Sequence, residues 1–132
     1  MCMKKYLLLG CLLVSGYVFA QKPVFKPLDD PKMHAGCYIE SKKKTIANLS
    51  ETGPNEEQGA LFNINGKDLF FKASKGNAQY PDLYTNGAYK IYVKDKFLKK
   101  DPNSCLELHS YAIKLVYKGV SYLYRFKGFC GC

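Results

Sequence analysis

The chain has 132 residues, of which 47% are hydrophobic and 23% are charged. This length allows one domain of ordinary size, and this balance of apolar and charged residues excludes a largely disordered chain. The formal net charge of +9 favours anionic partners or surfaces, although an excess of lysine also serves to keep a protein soluble.

Residues 1–20, MCMKKYLLLGCLLVSGYVFA, have the organisation of a secretory signal peptide. Two lysines precede an apolar stretch that is too short for a membrane-spanning helix of about 20 residues, and Ala20 marks the cleavage site. We therefore predict an exported protein, periplasmic or extracellular. The segment LLGC resembles a bacterial lipobox and leaves lipidation at Cys11 as the alternative.

Residues 21–35, QKPVFKPLDDPKMHA, carry a proline at every fourth position. Proline at this spacing blocks both a helix and a central strand, because it lacks the backbone N–H donor. We predict a Pro-rich extended leader that is partly docked on the domain through Val24, Phe25 and Leu28.

Residues 36–132 are predicted to form a single β domain, because apolar and polar residues alternate along them with a period of two. CYIES (37–41) and KTIANL (44–49) are predicted as short strands. AYKIYVK (88–94) is predicted as a strand that follows an Asn-Gly turn. CLEL (105–108) either pairs or leads into the next strand, and no segment has a convincing helical pattern.

Two hairpins are predicted from turn residues and apolar pattern together. Asn65-Gly66 is the strongest short hairpin signal in the chain, because both positions tolerate positive φ. Lys118-Gly119 is the loop of the second hairpin, and a slip of one residue there would turn the core side chains of one strand outward. The predicted cross-strand pairs are Phe62 with Leu69, Ala60 with Phe71, Tyr117 with Val120, Leu115 with Tyr122, Ile113 with Tyr124 and Tyr111 with Phe126.

Six to eight strands joined by tight turns predict an all-β fold, either a small antiparallel barrel or a sandwich. Contact between the first and last strands would close a barrel. In a barrel built from so short a chain, side chains fill the interior and leave little room for a ligand.

Four cysteines remain after removal of the signal peptide, namely Cys37, Cys105, Cys130 and Cys132. An even number in a short exported chain predicts two disulfides that staple the fold. We predict that Cys37 pairs with one terminal cysteine and Cys105 with the other, since continued strand parity turns both terminal cysteines toward the core. A strained, redox-active bond between the two terminal cysteines is the alternative.

No catalytic, cofactor-binding or metal site is predicted. His109 has Glu107 and Ser110 as neighbours, which matches a catalytic triad in composition only, and the Gly-x-Ser-x-Gly elbow is missing. Metal binding by the terminal cysteines with His109, His34 or Met33 would lack the second ligand pair that structural zinc sites usually show.

A binding face is predicted on the solvent side of the strands, with the residues Lys90, Tyr92, Lys94, Lys114 and Arg125. Aromatic rings beside cations suit contact with polysaccharides or single-stranded nucleic acids. Arg125 is the only arginine of the chain, whereas sequence-specific readout of nucleic acids relies on arginine, so such readout is not expected. The predicted function is a non-catalytic exported binding module for an anionic polymer, a glycan, a membrane surface or a protein, with the oligomeric state left open.

The segment YTNGAY (84–89) resembles the Ser-Gly-x-x-Tyr region of bacterial inhibitors of c-type lysozyme, which are small disulfide-linked β-barrels of the cell envelope. The resemblance implies an alternative function, inhibition of a secreted enzyme such as lysozyme. Lysozymes of this type are generally basic, and the basic charge of this chain disfavours such a complex.

Overall fold

The fold is a closed antiparallel β-barrel. The computed structural model describes residues 22–29, 31 and 36–131, which form eight strands and no helix. Each strand pairs with the next along the chain, and the first pairs with the last. The all-β prediction is therefore confirmed, and of its two alternatives the fold is the barrel and not the sandwich. The strands are β1 (Gly36–Ser41), β2 (Lys44–Thr52), β3 (Gln58–Ile64), β4 (Lys67–Lys75), β5 (Asp82–Thr85), β6 (Tyr89–Lys100), β7 (Glu107–Tyr117) and β8 (Val120–Gly131).

Both predicted hairpins are present in the predicted register. Asn65 and Gly66 connect β3 to β4, and Lys118 and Gly119 connect β7 to β8, with positive φ at all four positions. All six predicted cross-strand pairs occur. A two-residue loop with positive φ matches the twist of the strands that it joins, which fixes the register. The predicted signal peptide, residues 1–20, lies outside the described residues.

Two features of the sheet were not predicted. The sequence analysis did not predict β5, because four residues are too few to show an alternating pattern. β6 continues to Lys100, beyond the expected end at residue 94. The sequence pattern ends early because Asp95 takes the place of the next apolar residue after Val93, and a register shift follows between Phe97 and Lys99. Long β6, β7 and β8 together form one wide, continuous wall of the barrel.

The barrel interior is filled by side chains. Alternate residues of β7, from His109 to Leu115, are buried, whereas their neighbours are only half-buried. Ring-to-ring contacts cross the interior, as between Phe62 and Phe71, whose centroids are 5.4 Å apart. Such tilted and edge-to-face pairs add to the free energy gained by burial. The largest fully buried side chains are Tyr111, Phe62, Phe71, Ile39, Ile46, Ile91, Ile113, Leu115, Val93, Asn48 and Asn63.

The described part of the leader, residues 22–29 and 31, packs at one end of the barrel, here called the leader end. This end carries the β1–β2, β3–β4, β5–β6 and β7–β8 turns. Phe25 is buried in the core cluster and Leu28 is buried as well, whereas Val24 is exposed, so two of the three predicted docking residues dock. Backbone hydrogen bonds hold the leader: Leu28 N–H donates to Thr45, and Asn65 N–H donates to Val24.

A disulfide lies across the seam where the barrel closes. Cys37 on β1 and Cys130 on β8 are directly paired in register, with their Cα atoms 4.0 Å apart, and they form a disulfide. The predicted pairing of Cys37 with a terminal cysteine is thus present. Cys105 is also disulfide-bonded, and its predicted partner Cys132 lies outside the described residues. The disulfide marks the opposite end of the barrel, here called the disulfide end, which carries the loops 53–57, 76–81 and 101–106.

Candidate functional site

The five residues of the predicted binding face all lie on the outer surface of β6, β7 and β8. They occupy the strand positions that alternate with the buried side chains of the core. Strand pairing sets Lys114 opposite Tyr92, and it sets Lys94 and Arg125 on either side of Ala112. The structure therefore brings together residues that are separated by up to 35 positions in the sequence.

The same surface holds three lysines that the sequence reasoning did not single out, Lys96, Lys99 and Lys127. Lys96 and Lys127 flank Ser110 in the row next to Lys94 and Arg125, and Lys99 pairs with Leu108. Strand parity would have found Lys96 and Lys127, whereas Lys99 follows the register shift and could not be assigned a face. The seven cations, here called the basic face, are Lys90, Lys94, Lys96, Lys99, Lys114, Arg125 and Lys127.

No carboxylate shares the basic face on β6, β7 or β8. The two acidic residues of these strands are Asp95 and Glu107, and both turn inward to contact His109. Between described residues, the ion pairs are those of His109 with these two carboxylates. The cations of the basic face are consequently not neutralised by a described carboxylate of the same chain, which leaves them free to attract an external anion.

A cleft of about 250 Å³ lies within the basic face, lined by Lys94, Lys96, Ser110, Ala112 and Arg125. Ala112 and Ser110 have short side chains, and the longer cationic side chains of β6 and β8 rise on both sides of them. The Ser110 hydroxyl at the floor adds a hydrogen-bond donor. Three cations and a hydroxyl around one depression are suited to a phosphate, sulfate or carboxylate group.

Tyr92 is packed against its neighbours on the basic face. The Lys114 Nζ lies 5.4 Å from the centroid of the Tyr92 ring, and the Tyr80 ring lies 6.2 Å from it. A cation over an aromatic face is attracted by the electron density of the ring. Tyr92 therefore positions Lys114, and Tyr80 extends the aromatic part of this surface.

A second group of polar residues lies near the disulfide end, on the side of β6 and β7 opposite to the basic face, with His109 buried and its two carboxylate partners partly exposed. His109 is buried, and its two ring nitrogens contact carboxylates: Nδ1 lies 2.5 Å from Asp95 Oδ1, and Nε2 lies 3.1 Å from Glu107 Oε1. Ionised carboxylates only accept hydrogen bonds, so both nitrogens donate and the ring is protonated when both bonds are made. The three side chains thus form a carboxylate–imidazolium–carboxylate clamp between β6 and β7.

The charges around this clamp shift the pKa values of several groups. Burial lowers the pKa of His109, but its hydrogen bonds to Asp95 and Glu107 outweigh burial and raise the pKa above 6.5. Burial and the charges of Asp82 and Asp95 raise the pKa of Tyr84 to about 12. Burial and the charge of Asp95 raise the pKa of Asp82. Asp82, Asp95 and Glu107 therefore form a partly exposed acidic group at the disulfide end, in contrast to the basic outer face.

The clamp does not offer a ready site for nucleophilic or metal chemistry. Ser110 faces outward, on the opposite side of β7 from His109. The serine, the histidine and the carboxylate therefore do not form a catalytic triad. The ligand atoms of Asp95, His109 and Cys130 lie within 4.8 Å of one another. The sulfur of Cys130 is bonded to Cys37, however, and metal binding by cysteine requires the thiolate.

The segment that resembles lysozyme inhibitors, residues 84–89, spans the end of β5, a turn at Asn86-Gly87 and the start of β6. The Tyr84 ring is buried in the core cluster, and the half-buried Tyr89 stacks on Tyr117 with centroids 4.6 Å apart. Both tyrosines of this segment thus pack within the barrel.

Comparison of the chain with models of known protein families, with curated proteins and with solved structures gave no match. Within the described part of the chain, no helix has the length and hydropathy needed to cross a membrane.

Proposed function

We propose that this protein is an exported, non-catalytic binding module whose basic face binds anionic polymers or anionic surfaces. The observation that carries the proposal is the clustering of seven cations on the outer face of β6, β7 and β8 without a carboxylate among them. Export is supported by the Cys37–Cys130 disulfide, which is compatible with an oxidising, non-cytoplasmic compartment.

The chemistry of the basic face favours polyanions over isolated small anions. Six of its seven cations are lysines, which act as flexible, strongly hydrated point charges. Each contributes a modest attraction in water, and screening weakens that attraction at physiological salt. A polymer or surface that engages several of them at once gains a useful affinity by summing small contributions.

The test is binding to dextran sulfate, with uncharged dextran as the ligand control, at several salt concentrations. The variant Lys94→Ser/Lys96→Ser/Arg125→Ser removes the walls of the cleft. The matched control, Lys67→Ser/Lys72→Ser/Lys75→Ser, removes the same charge from exposed positions on β4.

We expect the affinity of the wild type for dextran sulfate to fall as salt rises, because each contact releases counterions. The cleft variant should bind at least about ten-fold more weakly, with a shallower dependence on salt, whereas the β4 variant should stay close to the wild type. Equal losses in the two variants would show that net charge, and not the basic face, determines binding. An affinity that does not change with salt would contradict the proposal altogether.

A further inference from the structure

An apolar groove of about 360 Å³ lies on the outer surface at the disulfide end, next to the basic face. Its lining residues are Lys99, Lys100, Asp101, Pro102, Leu106, Glu107, Leu108 and Phe129. Leu106, Leu108 and Phe129 supply apolar walls, and the two lysines stand at the rim. The groove has two carboxylates, and both are engaged within the chain: Glu107 contacts His109, and Asp101 Oδ1 accepts a hydrogen bond from the Asn103 backbone N–H at 2.9 Å.

Large apolar side chains are exposed at the same end. Phe97 is 53% exposed, Leu106 43% and Leu98 40%, although Leu and Phe are usually buried. Phe97 and Leu98 belong to the C-terminal part of β6, and Leu106 belongs to the loop 101–106. Phe97 pairs with His109 and contacts its ring at 5.7 Å between centroids, on the opposite side of β6 from Lys94 and Lys96, which leaves Leu98 and Leu106 as the apolar residues next to the groove and the lysines. Clustered apolar exposure rimmed by polar residues marks an interaction surface.

The loop that carries Leu106 is held in place by local bonds. Asp101 N–H donates to the Leu106 carbonyl at 2.9 Å, and Leu106 N–H contacts Ser104 Oγ at 3.2 Å. Cys105, the residue before Leu106, is disulfide-bonded. A fixed loop loses little conformational entropy when a ligand covers it, which favours binding.

The basic cleft and the apolar groove are neighbours along β7. Ala112 and Ser110 form the floor of the cleft, and Leu108, two residues further toward the disulfide end, lines the groove. Side chains two residues apart on one face of a strand are separated by about 7 Å. This spacing matches the polar headgroup region of a bilayer, which is roughly 5–8 Å thick on each side of the hydrocarbon core.

We infer that the ligand of this surface is an anionic lipid layer. The inference rests on the proposed function and narrows its ligand class. Phosphate groups of the lipid occupy the basic cleft, and Leu98 and Leu106 enter the hydrocarbon boundary beside them. Binding then has two components, a salt-sensitive one from the cations and a salt-resistant one from burial of apolar area.

The experiment measures co-sedimentation of the full exported chain with vesicles of phosphatidylglycerol, and with vesicles of phosphatidylcholine as the uncharged comparison. The test variant is Leu98→Ser/Leu106→Ser. The matched control, Val24→Ser/Val120→Ser, removes two apolar side chains of similar exposure from the leader end. Binding of each protein to dextran sulfate is measured in parallel, as a check of folding and of the basic face.

We expect the wild type to bind phosphatidylglycerol vesicles and to retain part of that binding at high salt. Leu98→Ser/Leu106→Ser should lose at least about ten-fold in vesicle affinity and keep its affinity for dextran sulfate, because only apolar burial is removed. The control should bind both ligands as the wild type does.

Two results would overturn the inference while leaving the proposed function intact. One is a wild type that binds dextran sulfate but not phosphatidylglycerol vesicles. The other is a Leu98→Ser/Leu106→Ser variant that binds these vesicles as tightly as the wild type. Failure of the wild type to bind either ligand would instead refute the proposed function itself.

Discussion

Replacement of Phe25 by alanine tests whether the leader is part of the barrel. The Phe25 ring enters the leader end and packs edge-on against Tyr124 at 4.9 Å and Phe126 at 5.8 Å between centroids. It also lies 5.9 Å from Phe62. Phe25→Ala removes these contacts and leaves a void at the end of the core.

The size of the effect follows from the burial of the ring. Phe25 is 9% exposed, and truncation of a buried phenylalanine to alanine costs about 3–5 kcal/mol. The site lies at the end of the core, where water can enter, so we expect a loss of about 3 kcal/mol. Domains of this size are stable by about 5–15 kcal/mol, so this loss is a large part of the total. For a chain of this length, a loss of about 3 kcal/mol lowers the melting temperature by roughly 10–15 °C.

The assay is unfolding in urea followed by far-ultraviolet circular dichroism, because the chain has no tryptophan to report on unfolding by fluorescence. Val24→Ala is the matched control, since Val24 is 49% exposed and its truncation should change the free energy of unfolding by less than about 0.5 kcal/mol. If Phe25→Ala and Val24→Ala have the same stability, the leader does not contribute to the core and the reasoning is refuted.

Two further predictions concern the clamp and the disulfide. Because the pKa of His109 is raised above 6.5 in the folded protein, the stabilisation by the clamp is present below that pH and is lost as pH rises through the folded pKa. Urea unfolding should therefore show His109→Gln less stable than the wild type by about 1 kcal/mol near pH 6. The value is modest because Asp95 and Glu107 are partly exposed. A difference in stability between the two proteins that increases toward about pH 9 would contradict a protonated His109 in the clamp. Cys37→Ala/Cys130→Ala removes a cross-link that spans 93 residues, so the free energy of unfolding under oxidising conditions should fall by about 4–5 kcal/mol, and a fall below about 1 kcal/mol would show that the disulfide does not stabilise the closed barrel.

Most strands and the register of two hairpins were predictable from the sequence, because strand pattern and turn residues are local properties. In the β7–β8 hairpin, the Lys118-Gly119 loop and the alternating apolar residues give the same register, and a slip would expose the core side chains of one strand. β5 was not predicted because four residues are too few to show an alternating pattern. The C-terminal part of β6 was not predicted because Asp95 interrupts the apolar positions and a register shift follows between Phe97 and Lys99.

The candidate site was predictable only in part, because the sequence pattern reports on neighbours along one strand and not on contacts between strands. Alternation assigned Lys90, Tyr92 and Lys94 to one face of one strand. The contact of His109 with Asp95 joins residues 14 positions apart on different strands, and nothing in the local sequence around His109 indicates that partner. The apolar groove likewise depends on the approach of the loop 101–106 to β7 and β8.

Side-chain alternation and turn residues act over a few positions, and they were enough to predict antiparallel strands with a buried and an exposed face. Three features became visible only in the folded barrel: the sheet closes between β1 and β8, Phe25 packs into the leader end, and seven cations share one wall whose two acidic residues contact His109 on the other side of the strands. Closure and burial depend on contacts between residues far apart in the chain, and these contacts form when apolar area is removed from water, a driving force without direction along the sequence.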